Sequence, residues 1–259
     1  MTSTTIRKKP ATAAGTPART AVKTAARPPA RLAQPAPLRA ARAATPAANG
    51  TSRWGYEVQN KEEQSALKRL AILRTAAQLF NERGFYATSL NDLAGLLNVT
   101  KPSLYYYVKS KDDILLQILH HAMEQIDPAI TLANETGTSG LDKLRIFVRK
   151  YIDVLTGDFG KCLVLSGSTP LEPVSRAQIA PSFRYIDQSV RKMVAEGVAD
   201  GSIAPCDPKI AAFSLFGALH WMTSWYRADG ELGPDELATQ IFTIFSAGLQ
   251  AQAKSPKKK

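Results

Sequence analysis

The stretch TSLNDLAGLLNVTKPSLYYYVKSKDD, residues 88–113, decides how the rest of this 259-residue chain is read. It spells two short helices joined by a tight turn. The first is expected from about Ser89 to Leu96. Ser89 with Asp92 three residues on is an acidic variant of a capping box, in which hydroxyl and carboxylate each satisfy a backbone N–H that a helix start leaves orphaned. Leu90, Leu93, Ala94 and Leu97 recur at helical spacing and give one apolar face. Asn98 follows, a residue that tolerates the left-handed backbone such turns need, and Val99 is placed to plug the angle between the helices. Thr100 caps the second helix, and Pro102 sits in its first turn, where a missing N–H costs nothing. Leu104 and Val108, four apart, face inward and turn Lys101, Ser103, Tyr105, Tyr106 and Tyr107 outward or sideways.

Three consecutive tyrosines cannot all pack against one neighbour, because each helical step rotates by about 100°. One is expected to pack. The others present phenol hydroxyls beside Lys101, Lys109 and Lys111, and hydroxyls, ammonium groups and a helix N-terminus on one face are what phosphate oxygens require. A plain helical hairpin with a polar face is the competing reading, and a helix-turn-helix explains more of the residues.

The run from Leu70 to Leu115 resembles the DNA-binding domain of the TetR family of bacterial transcriptional regulators. The residues that carry the likeness are Thr88-Ser89-Leu90, Leu93-Ala94, Val99 through Val108 and Ser110-Lys111-Asp112. Two positions depart from the family's usual pattern: Tyr107 stands where His is common, and Asn98 where Gly is common. The resemblance implies an all-α fold with a three-helix DNA-binding domain over 61–109 and a helical regulatory and dimerisation domain over 110–252. It also implies a homodimer on palindromic double-stranded operator DNA. On that basis Thr100, Tyr105 and Lys111 are the expected phosphate contacts. Lys101, Pro102, Ser103 and Tyr106 are nearest the base edges, and Ser89 and Tyr107 flank them.

The net charge of +11 is unevenly placed. Residues 1–60 carry ten Lys or Arg against the single acid Glu57, residues 254–259 carry four Lys, and the body between holds 19 basic and 21 acidic residues. Residues 1–56 are rich in Ala, Pro and Thr with few large apolar side chains, a composition that cannot offset chain entropy and is expected to be disordered. There is no apolar run of the secretory kind. This tail and the basic tail at 253–259 either add non-specific attraction to DNA phosphates by counterion release or are inert solvated chain.

Elsewhere the pattern is helical. Residues 61–83 form a helix with Leu67, Leu70, Ala71, Ile72, Ala76, Leu79 and Phe80 as its stripe, closed by Gly84, with Phe80, Phe85 and Leu93 as the small core behind the motif. A helix from about Lys111 to Ile126 stops before Pro128. In the resembling family this helix links the two domains, and ligand-driven tilting of it resets the distance between reading heads. Its adjacent His120 and His121 point about 100° apart and do not make a metal site. Helices follow over about Leu141–Leu155, Ser175–Asp200, Pro208–Tyr226 and Pro234–Ala251, with a short apolar element from Cys162 to about Ser168.

The last two helices are apolar on more than one face, so they need burial on two sides. Phe213, Leu219, Met222, Ile241, Phe245 and Leu249 are the candidate dimer contacts. Phe147, Tyr151, Phe183, Met193, Phe216, Trp221 and Trp225 are candidates for lining a cavity. The segment from Trp221 to Leu237 is similar to a C-terminal pattern of family members tied to fatty-acid, steroid or aromatic-acid breakdown. It implies a small apolar or amphipathic effector such as an acyl-CoA thioester.

No Gly-x-Ser-x-Gly, His-Glu-x-x-His or phosphate loop is present, so neither catalysis nor a cofactor is expected. Cys162 and Cys206 lack metal spacing and suit a reducing cytoplasm, and no membrane span is expected. Two rivals stay open: a non-specific nucleoid-type DNA binder driven by the tails, and a helical ligand-binding protein without a DNA role.

Overall fold

A computed structural model describes residues 53–249, with the backbone alone for 53–60. The expectations for residues 1–52 and for the basic stretch at 253–259 lie outside the described residues. Among the described residues there are nine helices and no sheet, as an all-α chain should have. They are α1 Arg53–Arg83, α2 Leu90–Leu96, α3 Lys101–Tyr105, α4 Lys111–Thr136, α5 Gly140–Thr156, α6 Asp158–Ser166, α7 Pro173–Asp200, α8 Pro208–Trp225 and α9 Pro234–Leu249.

Local chemistry sets most helix starts. Ser89, Thr100, Ser110, Ser139 and Asp207 each accept a backbone N–H from the first turn of α2, α3, α4, α5 and α8, satisfying donors that otherwise go unpaired. The Ser89–Asp92 capping box forms in both directions. Asn98 takes up the left-handed conformation at φ 52° and ends the turn between α2 and α3. Gly201 does the same for α7 at φ 80°. Val99 differs from expectation: its side chain is exposed, and only its N–H is used, donated to Ala94 O at 3.0 Å.

One helix runs further than its sequence suggests: Pro128 lies inside α4, which continues to Thr136, while Pro181 lies inside α7 as the expected Ser175–Asp200 helix required. A proline removes one ladder bond and kinks a helix. Here Ile126, Ala129, Ile130 and Ala133 form a continuous buried face across the break, and that burial holds the second half of α4 helical. The buried side of α1 is Ile72, Leu73, Ala76, Ala77, Leu79 and Phe80, while Leu67 is exposed. The stripe drawn from the sequence was therefore too wide.

The packing has α5 at its centre, against α4, α6, α7, α8 and α9, while α1 lies against α4 and α6. At the α5–α7 crossing the backbones meet glycine to glycine. A Cβ on Gly140 would collide with the backbone of Gly197, so no other residue fits without moving a helix. Among the described residues, no helix is long and apolar enough to cross a membrane.

Candidate DNA-reading face and effector cavity

The DNA-reading face is built on α3. Leu104 and Val108 are fully buried and anchor it to the core made by Phe80, Phe85 and Leu93. That anchoring leaves Lys101, Pro102, Ser103, Tyr105 and Tyr106 exposed. Tyr106 is 78% exposed, Tyr105 is half exposed, and Tyr107 is the tyrosine that packs. Its ring meets Tyr106 edge-on at 5.0 Å between centroids. Neither Tyr105 nor Tyr106 uses its hydroxyl within the described residues. Thr100 Oγ1 accepts the Ser103 N–H and lies 3.0 Å from Ser103 Oγ, so these two hydroxyls share one hydrogen bond and keep one hydrogen spare.

Two of the expected contacts have other work. Ser89 Oγ donates to Asp92 Oδ2 at 2.7 Å and accepts the Asp92 N–H, so it is consumed by its cap. The Lys111 ammonium donates to Phe85 O at 2.8 Å and to Thr88 O at 2.9 Å, and sits over the Phe85 ring. Desolvation lowers its pKa. Sequence reasoning read Lys111 as a phosphate ligand because of its place after the motif. The fold uses it to tie the start of α4 to the turn between α1 and α2.

A cavity of about 530 Å³ lies among α4, α5, α6, α7 and α8, with Gly167 and Ser168 of the α6–α7 turn on its rim. Of the candidates for a cavity wall, Tyr151, Phe183 and Phe216 line it. Four candidates do not. Phe147 and Met193 are fully buried in the core, Phe147 stacking behind Tyr151 at 5.1 Å, whereas Trp221 and Trp225 face out of the protomer. Met123, Leu163, Val164, Ile186, Phe213 and His220 complete the apolar wall together with Gly217, and Asp187 stands at its edge. Tyr151 Oη and His220 Nε2 lie 2.8 Å apart. Burial raises the pKa of the phenol and lowers that of the imidazole, so both are neutral. Asp187 is held by Arg191 through two bonds, at 2.9 and 2.6 Å, and Arg191 also covers the Phe213 ring. Sequence reasoning gave His220 no role; its pairing with Tyr151 spans 69 residues and has no local signal.

The outer faces of α8 and α9 correct the dimer candidates. Leu219 and Met222 point into the protomer core and are fully buried. Ile241, Phe245 and Leu249 are partly buried against that core, and Phe213 is half exposed. The exposed stripe is instead Ile210, Phe213, Gly217, Trp221 and Trp225 on α8 with Ile244 on α9. A helix that is apolar all round does not reveal which face its own core will take.

The cavity is joined to the DNA-reading unit by a chain of polar contacts. Arg176 bonds the carbonyls of Ser168, Thr169 and Leu171 and so fixes the cavity rim to the start of α7. There Glu172 N and Ser175 Oγ both donate to the Asp112 carboxylate on α4. Next to Asp112 is Lys111, with its grip on Phe85 and Thr88. A second tie joins α1 to α6, where Gln78 and Asn81 each donate to Asp158 at 3.0 Å.

A short, capped, tyrosine-bearing helix standing free beside its support helix, on an all-helical body with a cavity, defines a helix-turn-helix DNA-binding regulator. Residues 72–118 match the family of bacterial regulatory proteins called tetR. Residues 137–249 match the tetracyclin repressor-like C-terminal domain. The chain belongs to the TetR family and is a DNA-binding transcriptional regulator, not an enzyme. It is 25% identical over 194 residues to the transcriptional repressor KstR2 of Mycolicibacterium smegmatis, covering 72% of this chain and 92% of that protein. Among solved structures, the TetR family regulator PfmR from Thermus thermophilus is 29% identical with a TM-score of 0.62, over 69% of this chain and 98% of that one. AibR, solved with isovaleryl coenzyme A and operator DNA, has the same fold at 24% identity and a TM-score of 0.62, over 68% of this chain and 96% of that one.

Proposed function

We propose that this chain is a cytoplasmic homodimeric repressor that binds a palindromic operator and is released by a small amphipathic effector, in the setting of a catabolic or lipid-related operon. The reading unit ends near residue 109, and the regulatory unit begins with α4. The observation that carries the reading is the free face of α3, which no other part of the described protomer covers. Tyr105 and Thr100 meet phosphates, while Lys101, Pro102, Ser103 and Tyr106 approach base edges. In a dimer the two α3 helices enter successive major grooves, about 34–36 Å apart. The partner covers the exposed apolar stripe on α8 and α9, where Gly217 and Gly248 allow close helix approach across a two-fold axis.

The cavity takes the effector. A ligand that moves the Gly167–Ser168 rim moves Glu172 and Ser175 with it, and through Asp112 rotates α4 and the reading unit attached to it. A ligand shifts this equilibrium only by its difference in affinity for the two arrangements. The apolar wall supports an acyl chain, and the fold shared with AibR, which was solved with a coenzyme A thioester, supports the thioester class.

Footprinting of the full chain tests the reading. A short, symmetric protected region with two half-sites is expected. A broad, sequence-independent footprint lost on removing residues 1–50 would favour a nucleoid-type binder acting through its tails, and no protection would leave a ligand-binding protein alone. Within the expected case, Tyr105→Phe weakens binding to all sequences alike, because phosphate contacts carry no base information.

A further inference from the structure

The polar groups of the cavity select the kind of head its occupant carries. An apolar chain in the cavity finds two neutral hydrogen-bonding groups on the wall, the Tyr151 phenol and the His220 imidazole, 2.8 Å apart. Among the described residues, no Lys or Arg lines the cavity. Two cations lie over the ring of the lining residue Phe213: Arg191 at 5.1 Å, its guanidinium already held by both oxygens of Asp187, and the exposed Lys209 at 6.0 Å. A carboxylate carried as far as Tyr151 and His220 would meet the Asp187 charge and no cation in the lining, and burying an unpaired charge is costly.

The pair suits an uncharged carbonyl. With the imidazole Nε2–H donating to the phenol oxygen, the Tyr151 O–H is free to donate outward. Nδ1 of His220 has no partner among the described residues, so this tautomer loses no existing bond.

Resting on the effector reading above, we infer that the cavity binds an uncharged acyl ester or thioester whose carbonyl accepts the Tyr151 hydroxyl, and that it refuses the same chain as a free acid. An anionic carrier attached to the thioester finds its cations, Arg191 and Lys209 over the Phe213 ring, outside that lining. The carrier's charge therefore stays outside, and the buried end is neutral.

The test uses the full chain in solution, with calorimetric titration of acyl groups from butanoyl to dodecanoyl. Each is offered as the coenzyme A thioester, the N-acetylcysteamine thioester, the matching thioether without a carbonyl, and the free acid. The thioesters of the best chain length are expected to bind, with the free acid weaker by about a hundredfold or more. Tyr151→Phe preserves side-chain volume and should weaken the thioester by roughly two- to twelvefold, one hydrogen bond, while leaving the thioether unchanged. His220→Gln should weaken the thioester in the same sense. Free acid binding within about threefold of the thioester, or a Tyr151→Phe protein with an unaltered thioester-to-thioether ratio, overturns the inference. Binding with the expected preference but no change in operator affinity supports this cavity chemistry and rejects the effector reading. No binding by any member of the series rejects both.

Discussion

Lys101 and Lys111 stand ten residues apart at the two ends of the reading segment, and their surroundings give them different work. Lys101 is exposed with its ammonium unused, whereas Lys111 holds Phe85 O and Thr88 O. Lys101→Ala should therefore relax the preference at the base it approaches, lower the slope of log affinity against log salt by no more than about one, and leave the melting temperature unchanged. Lys111→Ala should cost about 1–2 kcal/mol of stability, the scale of hydrogen bonds from a charged donor at a half-buried site, and leave the salt slope intact. Salt titrations and thermal unfolding of both variants separate the two roles. His220 supplies a pH dependence. Burial holds its pKa below the ordinary 6.5, so below that value the unfolded chain takes up a proton that the native state refuses. The contribution is complete above 6.5 and is lost as pH falls below it. Unfolding measured from about pH 7.5 to about pH 5 should show a decline that His220→Gln makes shallower.

At the scale of elements, the caps and the connections between helices behave differently under substitution. Thr100→Ala removes a cap from a five-residue helix that has little else to start it, and should cost about 1 kcal/mol together with operator affinity. Asp112→Asn puts an amide where Glu172 N–H and Ser175 Oγ both need an acceptor. It is expected to leave effector binding and the footprint in place while reducing effector-driven release. A gel-shift titration with effector reads this directly, and full release from the variant would reject the Asp112 connection. The caps were legible in the sequence because they are fulfilled within three residues. The Asp112 connection spans 60 or more residues and resembles any acidic first turn until α7 is folded beside it. Pro128 misled for a related reason: a proline's local cost is visible, and the buried face of α4 that outweighs it is not.

For the whole molecule, the exposed stripe from Ile210 to Trp225 makes a dimer prediction. Trp221 is 71% exposed and Ile244 78% in the protomer. Trp221→Glu, and separately Ile244→Glu, should yield a folded monomer in sedimentation equilibrium, with operator affinity reduced at least about a hundredfold because one half-site is then bound alone. Leu219→Ala, in contrast, should destabilise the protomer by about 2–5 kcal/mol, since that side chain is core. The sequence by itself determined the helix-turn-helix, its caps, the inward Leu104 and Val108, the outward Lys101, Tyr105 and Tyr106, and the all-helical body, because these follow from neighbours within one or two turns. Only the tertiary structure decided which tyrosine packs, that Lys111 turns inward, and that Leu219 and Met222 belong to the core while Trp221 and Trp225 do not. Helical periodicity places side chains around an axis but says nothing of which neighbour will cover each side. For helices apolar on every face, that choice belongs to the packing of α5 and α7 against them.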